Sequence, residues 1–388
     1  MKTMNDCRSH RNYTAAHVDD LPRSGIRDFF DLAASMDDVL SLGVGEPDFS
    51  TPWHIREAAT YALERGHTSY TSNLGLLPLR RAVTTAVAAD FDVTYDPETE
   101  CIITVGVSEA LDLAVRAFLE PGDEVIYHEP CYVSYAPLIR LAHARPVAVT
   151  TREDDAFALD PERVADAVTP KTRALVINFP NNPTGANISL AQKQALAEIA
   201  CRHDLIVITD EIYAELAYSE RSPSIASLPG MQERTVFLHG FSKAYAMTGF
   251  RVGYACGPPE LIAAMMKIHQ YTMLCAPINS QEAAVEALRH GQHPREEMRW
   301  QYEQRRNVIV NRLNAMGLSC PTPEGAFYVF PNVSSTGMTG AEFAERLLHE
   351  QRVAVVPGQA FAPADRDHVR CSYAAAMATI ETAMERMQ

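Results

Sequence analysis

The 388-residue sequence predicts an α/β fold. A large domain carries a mostly parallel seven-stranded sheet between helices, and a smaller α+β domain is assembled from both chain ends. Three observations carry this reading. Seven apolar runs, at 101–105, 124–128, 146–150, 173–178, 205–209, 235–239 and 252–255, are rich in Val and Ile and show little polar alternation. Such strands are covered on both faces, as in a parallel sheet. The segments between them are long enough for crossover helices. Beyond a long polar helix at 294–316 the texture changes to short strands around one helix.

The elements follow in order. The first 38 residues or so are polar and irregular, except for helical spacing at 25–33. Ser41–Pro47 reads as a short strand ending in a Gly/Pro turn. Residues 53–65 place Ile55, Ala58, Ala59 and Ala62 on one helical face. A crossover helix runs from Ser108 to Leu119, with Leu111, Ala114, Val115 and Phe118 at helical spacing and Ser108 as its N-cap. The polar helix at 294–316 ends near Gly317. Gly325–Phe330 and Val353–Val356 read as strands around a helix at 340–350. The large domain therefore spans 46–284, and the small domain combines 1–45 with 285–388. Repeats, low-complexity tracts and Gly/Ser linkers are missing from the sequence.

Composition bounds the function. The chain is 47% hydrophobic and 21% charged, an ordinary globular balance. Its net charge of −15 repels nucleic acid and anionic membrane, and no basic run offsets it. The eight cysteines form no C-x-x-C pair and several lie in apolar runs, so buried free thiols in a reducing cytosol are expected. The amino terminus lacks an apolar signal core, and no apolar segment approaches the ~20 residues of a membrane helix. The expectation is a cytoplasmic protein of small-molecule chemistry, with no nucleic-acid, membrane or metal partner.

In an open parallel sheet, ligands bind beyond the carboxyl ends of the strands. The candidate residues fall on those ends. After 101–105 comes Gly106-Val107-Ser108, a glycine turn into a helix whose first amides lack internal partners and can bind phosphate. After 124–128 comes Tyr132, able to stack on a flat ring. After 173–178 comes Asn181-Asn182-Pro183-Thr184-Gly185, a loop stiff enough to aim an amide at a ligand. Strand 205–209 runs into Asp210, with Tyr213 three residues on. An ionised Asp there is costly without a partner, and a pyridinium N–H is such a partner; a helix cap is the plainer alternative. Lys243 follows the run Thr235–Leu238, and Arg251 comes eight residues later. Together they can serve an aldehyde and a phosphate. Pyridoxal 5′-phosphate carries both, and it calls for a Schiff-base Lys, a carboxylate facing the ring nitrogen and a phosphate cradle. Singly, each residue has a plainer reading: surface lysine, loop aromatic, ordinary turn. Those readings do not explain why all of them fall on strand ends of one sheet.

On these residues the chain resembles the class I, fold type I pyridoxal-phosphate aminotransferases over essentially its whole length. It looks most like the prokaryotic branch containing aromatic and aspartate aminotransferases. The matching strings are Ser41–Phe49, Tyr70–Gly75, Asn181–Gly185, Asp210–Tyr213, Ser242-Lys243, Met247–Gly253, Gly325–Tyr328 and Val369–Ala374. The resemblance implies roles. Lys243 would bond the cofactor aldehyde and carry the proton. Asp210 would keep the ring nitrogen protonated. Asn182 and Tyr213 would bond the ring oxygen, and Tyr132 would stack on the ring. The Val107 and Ser108 amides, Ser242 and Arg251 would hold the phosphate. Arg370 would clamp the substrate carboxylate, for which a bidentate guanidinium suits better than Lys. Gly43 would let the substrate approach the backbone. Tyr70 would reach the phosphate of a partner subunit, which requires a homodimer.

The implied reaction is ping-pong transfer of an amino group from an L-amino acid (aromatic, alanine-like or aspartate) to a 2-oxo acid such as 2-oxoglutarate. Three departures from the family pattern stand out. Tyr132 stands where many relatives have Trp, and Gly240 where some place a phosphate-binding Ser. Ser108 stands where several aspartate-specific members place a Lys, which weakens an aspartate assignment. Two other functions fit the same fold. A carbon–sulfur β-lyase would share Lys243, Asp210 and Arg370. A non-catalytic regulator that keeps the cofactor would need a DNA-binding module, for which the short amino terminus leaves no room.

Overall fold

The computed structural model describes residues 13–21, 36–219 and 223–388. The helical spacing at 25–33 lies outside the described residues. All seven apolar runs form strands of one sheet: β2 (Cys101–Thr104), β3 (Glu124–Glu129), β4 (Arg145–Thr150), β5 (Thr172–Asn178), β6 (Ile206–Asp210), β7 (Thr235–Gly240) and β8 (Gly253–Cys256). Their order is β2-β8-β7-β6-β5-β3-β4. Strands β3 to β7 pair in parallel, whereas β8 runs antiparallel to both β2 and β7. The register sets Asn178 beside Asp210 at the carboxyl ends of β5 and β6.

Helices cover both faces. Gly106–Phe118 has a strong apolar stripe and buries Ala110, Leu111, Leu113, Ala114, Val115 and Phe118. These pack with Ile102, Val125, Val176, Ile208 and Val236 of the strands and with Ile262 and Met265 of helix Pro259–Thr272. Leu113 is fully buried, and trimming it to Ala would cost about 2–5 kcal/mol. The opposite face buries Ile126, Leu175, Ile177 and Val207 against Leu196 and Ala200 of helix Leu190–Arg202. A capping box between Ser189 and Gln192 starts that helix.

Ser108 is not an N-cap. The helix begins at Gly106, so Ser108 stands in its first turn, and its N-cap residue, Val105, makes no side-chain cap. The positive φ of Gly106 (+76°) turns the chain straight from strand to helix and moves the start two residues earlier than the spacing suggests.

The polar helix is Gln292–Ala315, and Thr339 and Glu342 box the start of Gly340–Gln351. The short strands are shorter than the sequence suggests. β1 is only Leu40–Ser41, parallel to β10 (Val353–Ala354). β9 (Tyr328–Val329), β12 (Val369–Ser372) and β11 (Val356–Pro357) form an antiparallel sheet of three. One core unites Leu42 near the amino end with Phe327, Val353, Cys371 and Ile380. No described helix is long and apolar enough to cross a membrane.

Candidate active site

A pocket of about 770 Å³ opens over the carboxyl ends of β5, β6 and β7. Of the twelve site residues expected from sequence, Val107, Ser108, Tyr132, Asn182, Asp210, Tyr213, Ser242, Lys243, Arg251 and Arg370 line it. Gly43 lies just behind the wall, which its neighbours Val44 and Gly45 complete. Its carbonyl accepts from Arg370 Nη2 at 2.6 Å. Tyr70 stands apart. It is 81% exposed on the loop before helix Leu77–Phe91 and does not line this pocket.

Asp210 ends β6 with its carboxylate buried. Burial pushes its pKa up to about 6, against the hydrogen bonds from Tyr135 and the Ile212 amide, which pull it down. The Tyr135 hydroxyl donates to Oδ2 at 2.9 Å and the Ile212 N–H donates to Oδ1 at 3.1 Å. The second bond is the local cap that the plainer reading foresaw, but it uses one oxygen only. Asn178 Nδ2 donates to the Asp210 carbonyl at 2.8 Å and fixes the strand end.

Lys243 follows β7, and its Nζ donates to the Gly45 carbonyl at 2.7 Å. Burial lowers its pKa to about 8, Glu46 works the other way, and Arg370 and Arg251 lower it further. An amine near that value is far easier to deprotonate at neutral pH than a free Lys.

The third part is a cradle between two loops. The first turn of Gly106–Phe118 has no side-chain cap, so its amides are open to an anion. Arg251 closes the other side. A Cβ at position 106 would lie 2.7 Å from Arg251 Nη2, so Gly106 is what admits the guanidinium. Arg251 is itself steadied by Nη1 donating to the Thr248 carbonyl at 3.0 Å.

Arg370 leaves β12 deeply buried, its guanidinium carbon 4.5 Å from the Tyr328 ring centroid and 4.7 Å from that of Phe361. Nη1 donates to Asn182 Oδ1 at 2.9 Å, while Nε is buried with no partner. A rigid, incompletely satisfied guanidinium suits a carboxylate.

Sequence reasoning missed several wall residues. Tyr135 lies three residues after Tyr132, near enough to share its face. Asn178 is a polar residue at the end of a buried strand, the same signal that marked Asp210. Tyr328 was read as strand and as the end of a matching string, with no role in the site. Glu46, Thr248, Gly249 and Leu111 also line the pocket.

The parts fit a flat aromatic aldehyde carrying a phosphate: a buried carboxylate at the strand end, a low-pKa amine, and an uncapped helix turn facing a guanidinium. Comparison with known proteins agrees. A model of the family "Aminotransferase class I and II" matches residues 37–387. The chain is 50% identical over 377 residues to the putative aminotransferase YugH of Bacillus subtilis, covering 97% of this chain and 98% of that one. It is 45% identical over 368 residues to an aspartate aminotransferase of Pyrococcus abyssi, covering 94% and 95%. The crystal structure of an aromatic aminotransferase from Pyrococcus horikoshii superimposes with a TM-score of 0.89 at 45% identity, covering 93% of this chain and 97% of that one.

Proposed function

The chain belongs to the class I and II aminotransferases, and from that premise we propose which of its residues do the work and on what. It is a pyridoxal-phosphate-dependent transaminase that moves an amino group between an amino acid and a 2-oxo acid. The carbon–sulfur lyase alternative is not favoured, since the relatives named above are aminotransferases.

The cofactor, when bound, supplies the electron sink that makes the substrate α-proton removable. Asp210 would hold the ring nitrogen, Arg251, Ser242 and the amides of Val107 and Ser108 would hold the phosphate, and Tyr132 would lie against the ring. Asn182 and Tyr213 would donate to the ring oxygen. Lys243 would be the amine that holds the aldehyde and the base that moves the substrate proton at its Nζ. Arg370 takes the substrate carboxylate, and Gly43 leaves room for it at the wall. The observation that carries this reading is the convergence in one pocket of a buried carboxylate, a half-buried low-pKa amine and two guanidinium groups held on neutral carbonyl or amide oxygens.

The donor follows from what remains. With the cofactor on Arg251 and the carboxylate on Arg370, the wall offers Ser108, Val44, Leu111 and Tyr132 to the side chain. That lining supports aromatic and alanine-like donors over aspartate, with 2-oxoglutarate as an acceptor. A half-reaction screen tests it. Holoenzyme is mixed with single L-amino acids and no acceptor, and the cofactor absorbance is followed. Conversion by aspartate faster than by neutral donors would overturn the preference.

The division into a cofactor domain at 46–284 and a small domain from 1–45 and 285–388 belongs to this proposal, as do a cytoplasmic site and a homodimer. Exposed Tyr70, Tyr271, Met273 and Leu274 support the homodimer, since Asn73 Nδ2 donates to the Leu274 carbonyl and joins the loop that carries Tyr70 to the end of helix Pro259–Thr272. Tyr70 would serve the neighbouring site. Hybrid dimers of Tyr70→Ala and Lys243→Ala subunits should then regain part of the activity each variant lacks.

A further inference from the structure

Tyr328 touches three parts of the pocket, and nothing above gives it a task. It is buried on β9, and its backbone pairs with Ser372, two residues from Arg370 on β12. Its hydroxyl lies 3.0 Å from the Tyr213 hydroxyl, its one hydrogen bond to a described residue. Its ring face carries the Arg370 guanidinium at 4.5 Å. Its hydroxyl also occupies the space that a Cβ at position 45 would need, at 2.7 Å, and the carbonyl of that same Gly45 holds Lys243 Nζ.

A buried hydroxyl costs free energy unless it is bonded. Phe would fill the same volume without that cost, so the hydroxyl is explained by its partner. The pair has two protons and one shared contact. If Tyr328 donates to Tyr213, the Tyr213 proton is left free for an acceptor in the pocket. If Tyr213 donates to Tyr328, it is not.

We propose that Tyr328 is a positioning residue joining the two halves of the site. Its hydroxyl donates to Tyr213 and turns the Tyr213 proton toward the cofactor ring oxygen, while its ring face fixes the plane of Arg370 for the substrate carboxylate. This rests on the reading of Tyr213 and Arg370 given above. The charged and titratable groups facing the tyrosine pair are Arg370, Lys243, Asp210, Glu46 and Tyr132. All of them remain in a variant that loses only the hydroxyl.

The test uses three holoenzymes, Tyr328→Phe, Tyr328→Leu and Tyr213→Phe, each with two readouts. One is the pH midpoint of the cofactor absorbance titration. The other is KM for the amino donor that reacts fastest in the half-reaction screen. In Tyr213→Phe the bond to the ring oxygen is gone, and in Tyr328→Phe the Tyr213 hydroxyl loses the donor that polarises it and donates more weakly; either leaves more negative charge on the ring oxygen, which would hold the neighbouring proton on the Lys243 nitrogen more tightly. Tyr328→Phe should therefore raise the midpoint by about half a unit to one unit, in the direction of Tyr213→Phe and by less, with KM within about twofold of wild type. Tyr328→Leu should in addition raise KM about tenfold or more, because Arg370 loses a desolvated ring face. A midpoint that moves in Tyr213→Phe but stays put in Tyr328→Phe overturns the proposal and leaves the Tyr213 assignment standing. No shift in Tyr213→Phe either would bring down the Tyr213 reading, and the proposal with it. A KM that rises equally in Tyr328→Phe and Tyr328→Leu would overturn the division of labour between hydroxyl and ring. Should the Leu variant fail to fold, Tyr328→Phe decides alone.

Discussion

Asp210→Asn should stabilise the cofactor-free protein and weaken the holoenzyme. Asn keeps the shape and both hydrogen bonds, since its oxygen can accept from the Ile212 amide and its nitrogen can donate to the Tyr135 hydroxyl. Only the buried charge goes. Burial holds the Asp210 pKa at about 6 instead of 3.8. A raised folded-state pKa gives stability that is complete below the unfolded value and lost as the pH climbs through the folded one. The lost amount is about two pH units at ~1.4 kcal/mol each, or roughly 3 kcal/mol. Chemical unfolding of cofactor-free wild type and variant should coincide near pH 3.5. The variant should pull ahead between about pH 4 and 6 and keep a constant lead above that, up to roughly 3 kcal/mol. With cofactor the order should reverse, because the ring nitrogen loses its counter-charge, and turnover should fall sharply. Equal stabilities across the whole pH range would mean that Asp210 carries no burial cost, and that the electrostatic argument for its role is wrong.

Three further outcomes are expected. Lys243→Ala should abolish transamination while cofactor still binds through the phosphate and ring contacts, and retained turnover would show that another group is the nucleophile. Reloading of cofactor onto cofactor-free wild type should quicken about tenfold per pH unit up to about pH 8 and level off above it, since the Lys243 amine is freed of its proton as the pH passes its lowered pKa; a stopped-flow rate that is flat from pH 6 to 9 would contradict this. Ser108→Lys should improve kcat/KM for aspartate relative to a neutral donor about tenfold, the low end for a charge-assisted contact because position 108 is exposed. An unchanged ratio would mean that another residue reads the distal carboxylate.

The large sheet was legible because its strands are buried on both faces. Runs such as Leu175-Val176-Ile177, rich in β-branched residues and without polar alternation, suit a strand covered on both faces. Direction was less legible: the run at 252–255 looks like its neighbours, yet β8 is antiparallel, because composition records burial and not polarity of the chain. The candidate residues that share the pocket were legible for the same reason that strands were. Asp210 and Lys243 interrupt or follow apolar runs, where a charge is conspicuous even though Asp210 also caps the Ile212 amide. Tyr135 and Tyr328 escaped notice because an aromatic among apolar residues is ordinary, and only distances reveal which hydroxyl meets Asp210 or Tyr213. The part built from both chain ends was the hardest. Its core joins Leu42 to Val353 and Cys371, and no local pattern encodes a contact between the two ends of a chain.

The charges explain why these parts belong together in a protein of net charge −15. Lys243, Arg251 and Arg370 each donate to a neutral carbonyl, of Gly45, Thr248 and Gly43 respectively. Among the described residues none of the three has a carboxylate within salt-bridge distance, although carboxylates outnumber cations along the chain. A carboxylate partner would have to be displaced for an anionic ligand to bind, and a buried ion pair is costly to break. A carbonyl partner holds the side chain in place and leaves its charge uncompensated. The site thus keeps two guanidinium charges for a phosphate and a carboxylate, and one buried carboxylate for a ring cation. A ligand bearing all three groups at those spacings answers all three charges, and one lacking the carboxylate or the ring cation leaves the buried Arg370 or Asp210 unpaired, whereas Arg251 is exposed to solvent.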